Sequence, residues 1–143
     1  MAISVDGKTF TFHLKKEVKW PNLPPVNGRD FTSADVKFSY EYHARLGAFA
    51  DNKFGPSQYD YYYEGMEGVD TPGPHTVVVR FKNPFLPYLA YAAADYNYIA
   101  AREIVEQDGN LSKRILGTGP FQLDIAGSQT GSRYVWKKNP AYH

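Results

Sequence analysis

The sequence predicts an α+β domain, a mixed and mainly antiparallel sheet carrying two to three helices. Three observations predict it. Four segments, "TFTFHL", "HTVVVRFK", "GPFQLDI" and "SRYVWKK", alternate apolar and polar residues with the strand period of two. Turn signals, Asp6-Gly7, "TPGP" and "AGSQTG", stand where neighbouring strands would be joined. Stretches with helix start and stop residues lie between the strand pairs.

In chain order, Ile3–Val5 and Thr9–Leu14 read as a hairpin around Asp6-Gly7, with Phe10, Phe12 and Leu14 on the face turned to the core. "WPNLPPVNGRDF" carries three prolines and a glycine, which makes it a long ordered loop. "FTSADVKFSYEYHARLG" is ambiguous, because Ala34, Val36, Phe38, Tyr40, Tyr42, Ala44 and Leu46 alternate as a strand would. Against that stand Thr32 as N-cap, Asp35 three residues on, and Gly47 as a stop. The expectation is a helix over Ser33–Leu46, with stripes Val36/Tyr40/Ala44 and Phe38/Tyr42/Leu46, buried between the sheet and another layer.

"AFADNKFGPSQYDYYYEG" has no clear period and reads as a loop with one short helical turn. "MEGVD" and Thr76–Phe81 are two strands joined through "TPGP", with Val77, Val79 and Phe81 on one face. "NPFLPYLAYAAA" is a short helix with Pro84 near its start, where a missing N–H costs nothing. "DYNYIAA" is a brief extended piece, and "AREIVEQDG" a short helix ended by Gly109. Gly119–Asp124 and Arg133–Lys137 form the closing hairpin. No internal repeat, heptad or low-complexity tract interrupts this order.

The length of 143 residues suits a single domain over 1–143, able to bury roughly two-thirds of its unfolded surface. Lys+Arg at 16 against Asp+Glu at 15 leaves a formal charge of +1, with the basic residues scattered singly. Nucleic acid is therefore not an expected partner. The longest apolar stretch, around Pro84 to Ala94, is too short and too rich in Pro and Tyr to span a bilayer. No secretory signal is visible ahead of the first strand-like residues, so the sequence is expected to be a piece of a longer chain. The absence of cysteine excludes disulfides, thiolate metal sites and cysteine nucleophiles.

Histidines stand at 13, 43, 75 and 143, without the short spacing of metal ligands, so no metal and no cofactor is expected. Asp60, Glu64, Glu67 and Asp70 fall in a turn-rich stretch with no pattern that singles out a glycosidase pair. No Gly-x-Ser-x-Gly elbow occurs. "GTGPF" looks at first like a phosphate loop, but Pro120 removes a donor and the residues after it form a strand, not a helix. An enzyme is not the expected reading. The unusual figure is an aromatic content of 16%, with 12 Tyr and 9 Phe. Tyrosine suits places where a flat ring packs and a hydroxyl meets water or ligand.

Five motifs in order, "FTFHLKKEVKW", "FTSADVKFSYEY", "HTVVVRFKNPFLPYL", "LGTGPFQL" and "VWKKNPAYH", resemble the family-five extracellular solute-binding proteins of bacterial ABC importers, the dipeptide, oligopeptide and nickel group. They cover the chain from Thr9 to Tyr142. One departure is "PNLPPVNGR" after Trp20, where relatives commonly carry a short Asp-Gly turn. The resemblance implies the inserted small lobe, with bordering strands, of a large class II periplasmic-binding-protein fold. It implies delivery of a short peptide or similar solute to a membrane permease by a periplasmic or extracellular protein, lipid-anchored or secreted. "GTGPF" is then a structural turn. A ligand wall contributed by this lobe would arise after the first helix, which makes Phe49, Phe54, Tyr59, Tyr61, Tyr62 and Tyr63 the candidates. The alternative is a stand-alone carbohydrate-binding or adhesion module whose tyrosines stack on an oligosaccharide.

Overall fold

The computed structural model describes residues 1–50 and 59–142. Contacts group the chain into two compact units, one formed by Met1–Lys15 and Thr32–Ile99, the other by Lys16–Phe31 and Ala100–His143. The first unit holds strands β1 (Ala2–Ile3), β2 (Thr9–His13), β3 (Met66–Gly73) and β4 (Thr76–Phe81), with helices α1 (Ser33–Ala44) and α2 (Tyr88–Ala92). Short 3-10 turns occupy Gly47–Phe49 and Asp60–Tyr63. The four strands form an antiparallel sheet in the order β1-β2-β4-β3.

Register explains the core of this unit. Phe10 lies opposite Val79, Phe12 opposite Val77 and Met66 opposite Phe81, so these side chains share one face. Tyr88 of α2 closes over that face, with ring centroids 4.9 Å from Phe81, 5.0 Å from Phe10 and 6.3 Å from Phe12. Phe10, Val77, Val79 and Tyr88 are fully buried, whereas Phe12 and Leu14 are only partly covered. The inward face expected from alternation thus fades toward the end of β2, where less lies above it. On the opposite face Arg80 pairs with Asp70 across the strands.

The strand-like alternation of 33–46 winds into α1. Asp35 accepts a hydrogen bond from the Thr32 N–H at 2.9 Å, the returning half of a capping box. Ser33 and Ser39, on what looks like a strand's polar face, are buried and satisfied: the Ser33 hydroxyl donates to the Gly73 carbonyl at 2.7 Å, and the Ser39 hydroxyl to the Asp35 carbonyl at 2.9 Å. The helix stops earlier than Leu46, because Arg45 already takes the left-handed conformation at φ 56°. It lies against β3 and β4. Val36 and Tyr40 are buried, and Phe38 stacks on Tyr42 with centroids 6.0 Å apart.

The strands expected at Thr9–Leu14, Gly119–Asp124 and Arg133–Lys137 are Thr9–His13, Phe121–Leu123 and Trp136–Lys138, and two further boundaries differ from expectation for local reasons. β3 runs through Thr71, Pro72 and Gly73, leaving Pro74 and His75 as the turn in place of "TPGP". A register shift between Asp70 and Gly73 absorbs Pro72, which has no N–H to give the ladder. The first strand is Ala2–Ile3 rather than Ile3–Val5, since Ser4, whose N–H still donates to Thr9 O at 2.9 Å, begins the turn. Its hydroxyl donates to Asp6 and accepts the Thr9 N–H.

The second unit carries α3 (Arg102–Asp108), β5 (Phe121–Leu123) and β6 (Trp136–Lys138), the two strands pairing antiparallel. Trp20, Val26, Ala101 and Ile104 form its core, with Phe31, Leu111 and Leu116 packed against them. The proline-rich stretch is an ordered loop returning on itself: the Trp20 N–H donates to Arg29 O at 2.9 Å and the Phe31 N–H to Val18 O at 2.8 Å. Arg29 grips Glu103 of α3 through two guanidinium nitrogens and lies 5.6 Å over the Trp20 ring. That guanidinium holds the Glu103 carboxyl below the usual carboxylate range.

"GTGPF" enters β5, as expected of a structural turn. Its backbone is held by Asn139, whose amide donates to the Gly119 carbonyl at 2.9 Å while its N–H donates to Pro120 O at 2.8 Å. The Asn139 side-chain oxygen accepts from Gln122 at 2.6 Å and from the Ala141 N–H at 3.0 Å. With 1% exposure, this asparagine ties the "NPAY" end of the chain to the turn.

Candidate functional site

The segment after α1 supplies the tyrosines singled out in the sequence. A 3-10 turn, Asp60–Tyr63, needs only three residues per turn, so consecutive rings leave it in different directions. Tyr63 points inward, tilted against Tyr40 at 6.0 Å, and its hydroxyl donates to Asn97 Oδ1 at 2.6 Å. Tyr62 is also buried, stacked on Tyr91 of α2 with centroids 4.6 Å apart and 11° between planes. Tyr61 stands outward at 49% exposure, its ring perpendicular to Tyr62. Tyr59 is partly buried and stacks on Tyr96 at 4.5 Å.

Tyr59, Tyr61, Tyr62 and Tyr63 are therefore brought together. Phe49 packs edge-on against Phe38 at 5.6 Å and Tyr42 at 5.4 Å, along the other stripe of α1. Phe54 lies outside the described residues. Tyr91 and Tyr96 complete the ring stack, and sequence reasoning did not single them out. The signal was present in "YLAYAAADYNY", where aromatic residues recur beside a short helix, but their pairing partners lie about thirty residues away.

The electrostatics are those of a packed phenol cluster. A hydrogen bond with the Tyr61 hydroxyl, together with burial, pushes the Tyr62 phenol up to about 12. Burial raises Tyr63, and Tyr59 is raised by burial and by its hydrogen bond with Tyr96. Tyr59, Tyr62 and Tyr63 therefore stay protonated near neutral pH, as neutral hydroxyls on packed rings. Such groups bind by stacking and hydrogen bonding. Among the described residues, no group of three or more His, Asp or Glu side chains is placed to hold a metal ion.

This geometry separates packing from exposure within four consecutive residues. Tyr61→Ala should cost less than about 1 kcal/mol in urea unfolding, as an exposed ring does. Tyr63→Ala should cost about 3 kcal/mol or more, because it empties a buried site and orphans Asn97. Equal losses would place Tyr61 in the packed core.

The model of the bacterial extracellular solute-binding proteins, family 5, middle part, matches residues 2–143. The chain belongs to this family. It is 32% identical to the dipeptide-binding protein of Escherichia coli (strain K12), over 92% of this chain and 27% of that one. It is 29% identical to the oligopeptide-binding protein OppA of Bacillus subtilis (strain 168), over 97% of this chain and 26% of that one. Among solved structures, the ABC transporter-associated periplasmic binding protein DppA from Helicobacter pylori, in complex with the peptide STSA, superposes with a TM-score of 0.77 at 27% identity. That match covers 99% of this chain and 29% of DppA. The periplasmic binding protein AgaA from A. tumefacien R10, in complex with agropinic acid, gives a TM-score of 0.79 at 25% identity, covering 99% and 26%.

The chain thus spans about a quarter of the length of the relatives it matches. The α+β architecture is that of a part of a family-five periplasmic binding protein. The family is extracellular by its own description, and among the described residues no helix is long and apolar enough to cross a membrane.

Proposed function

We propose that this chain is part of a receptor that captures short peptides outside the cell and passes them to the permease of an ABC importer. The observation that carries this reading is the match along residues 2–143 to a family whose named relatives here include dipeptide- and oligopeptide-binding proteins. In a peptide receptor of this kind, polar contacts hold the ligand main chain while roomy pockets accept varied side chains. The tyrosine cluster supports a supplementary role for this part. Tyr61 and Tyr96 are exposed, Tyr61 backed by Tyr62 and Tyr91 and Tyr96 stacked on Tyr59, which gives an aromatic wall.

The same wall could stack on a sugar ring, so the test must distinguish ligand classes. Native mass spectrometry of the whole receptor that contains this chain, purified without added ligand, should release short peptides of mixed sequence. Release of an oligosaccharide instead would overturn the peptide reading and favour the carbohydrate-binding alternative.

A further inference from the structure

His43 sits in the last turn of α1 inside an aromatic enclosure. Its ring lies parallel to that of Tyr63, with centroids 6.0 Å apart and 5° between planes. Tyr98 and Tyr42 meet it edge-on at 5.5 and 5.7 Å. The ring also makes a hydrogen bond with the backbone of Tyr98. Its Nε2 is sealed from solvent and has no hydrogen-bond partner among the described residues.

This one ring joins three segments: α1, the Asp60–Tyr63 turn and the stretch around Asn97–Tyr98. The turn and the stretch are themselves linked, since Tyr63 donates to Asn97 and the Asn97 amide donates to Tyr91 O at 3.2 Å. Among the described residues, the titratable and charged groups facing His43 are Tyr42 and Arg45 from the end of its own helix, Tyr63 from the turn and Tyr98 from the stretch. Arg45 carries the same charge that an imidazolium would. Among the described residues, a proton placed on Nε2 would find no acceptor and no carboxylate to answer it.

We propose that His43 is a proton-sensitive latch: neutral, it fastens the Asp60–Tyr63 turn and the Asn97–Tyr98 stretch to α1; protonated, it lets both go. A proton on Nε2 creates a buried donor with nothing to bond, and a buried charge repelled by Arg45. The Asp60–Tyr63 turn is a single short 3-10 turn, whereas α1 is held by its own ladder of backbone bonds, so the proposed opening admits water at the turn.

The direction of the effect follows from burial, the largest cause, which with the Arg45 charge outweighs the opposing hydrogen bond with the Tyr98 backbone and holds the imidazole below its usual value of 6.5. The open state therefore takes up the proton more readily than the closed one. The latch is at full strength above about 6.5 and weakens as pH falls below it, by up to about tenfold in the opening equilibrium per pH unit until the closed state is itself protonated. A histidine ordinarily titrates across this range, which an extracellular protein meets in mildly acidic surroundings.

The test is amide hydrogen exchange by NMR on the protein between about pH 7 and about pH 5, corrected for intrinsic exchange rates. The amides to follow are those of Tyr62, Glu64 and Asn97, which donate within the turn and the stretch. Their protection should fall steeply with acid, about tenfold per unit below 6.5, while β2 and β4 stay protected. His43→Phe keeps a stacking ring and removes the proton, so its protection should be flat over the same range. His13→Gln, on the exposed end of β2, should behave as wild type. Equal acid loss in wild type and His43→Phe would overturn the proposal. If His43→Phe does not fold, the His43 imidazole resonances of the wild type decide alone. Titration near 6.5 with the turn still protected would overturn the latch, and titration well below 6.5 together with loss of turn protection would support it.

Discussion

Phe10→Ala is expected to destabilise the protein by about 3–5 kcal/mol in urea unfolding, the cost of emptying a large buried site. Phe10 is 0% exposed and touches Phe81 and Tyr88, each edge-on, from the centre of the sheet face. The cavity would be bounded by β4 behind and α2 above, and ladder hydrogen bonds keep the strands from closing over it. Phe12→Ala should cost about 1–2 kcal/mol, since that ring is partly exposed and meets Tyr88 only at 6.3 Å. Sequence periodicity alone would have assigned Phe12 the larger value. Equal losses at the two positions would mean that the end of β2 is covered more fully than the register shows.

Trp20→Ala is the corresponding expectation for the second unit, again about 3–5 kcal/mol. The indole is 1% exposed and packs with Val26, Ala101, Ile104 and Phe31. It also carries the Arg29 guanidinium that reaches Glu103, so truncation removes a packing surface and loosens an ion pair between the loop and α3. Trp20→Phe should recover more than half of the loss, because the Trp20 Nε1 has no hydrogen-bond partner to forfeit among the described residues. A Trp20→Phe variant as weak as Trp20→Ala would point to a polar role for the indole instead.

Where the chain signals its local geometry, the fold was legible in the sequence. Period-two alternation located β2, β4 and β5, and the Thr32/Asp35 cap outweighed a misleading alternation in α1. What escaped depends on residues far apart in the chain. Arg29 and Glu103 are 74 positions apart, and nothing near either announces the other. Pro72 argued against a continuing strand until the register shift in β3 relieved it of a ladder bond. The candidate wall was legible as composition, four tyrosines in five positions, but not as geometry. Which of them face inward is set by the 3-10 turn and by Tyr91, Tyr96 and Asn97, none of which local pattern could place.

On the proposed reading, these 143 residues supply one side of a peptide-binding cleft rather than a complete site. Two-lobe receptors gain affinity by closing both lobes around the ligand, expelling water and pairing its polar groups. One wall leaves a peptide half solvated while the full loss of translational freedom remains. Calorimetry of this chain alone against a mixed library of di- to pentapeptides tests the claim most directly. The expected result is no binding tighter than roughly millimolar, about 4 kcal/mol at the usual standard state. Micromolar binding would contradict it, because a complete site would then lie within this chain.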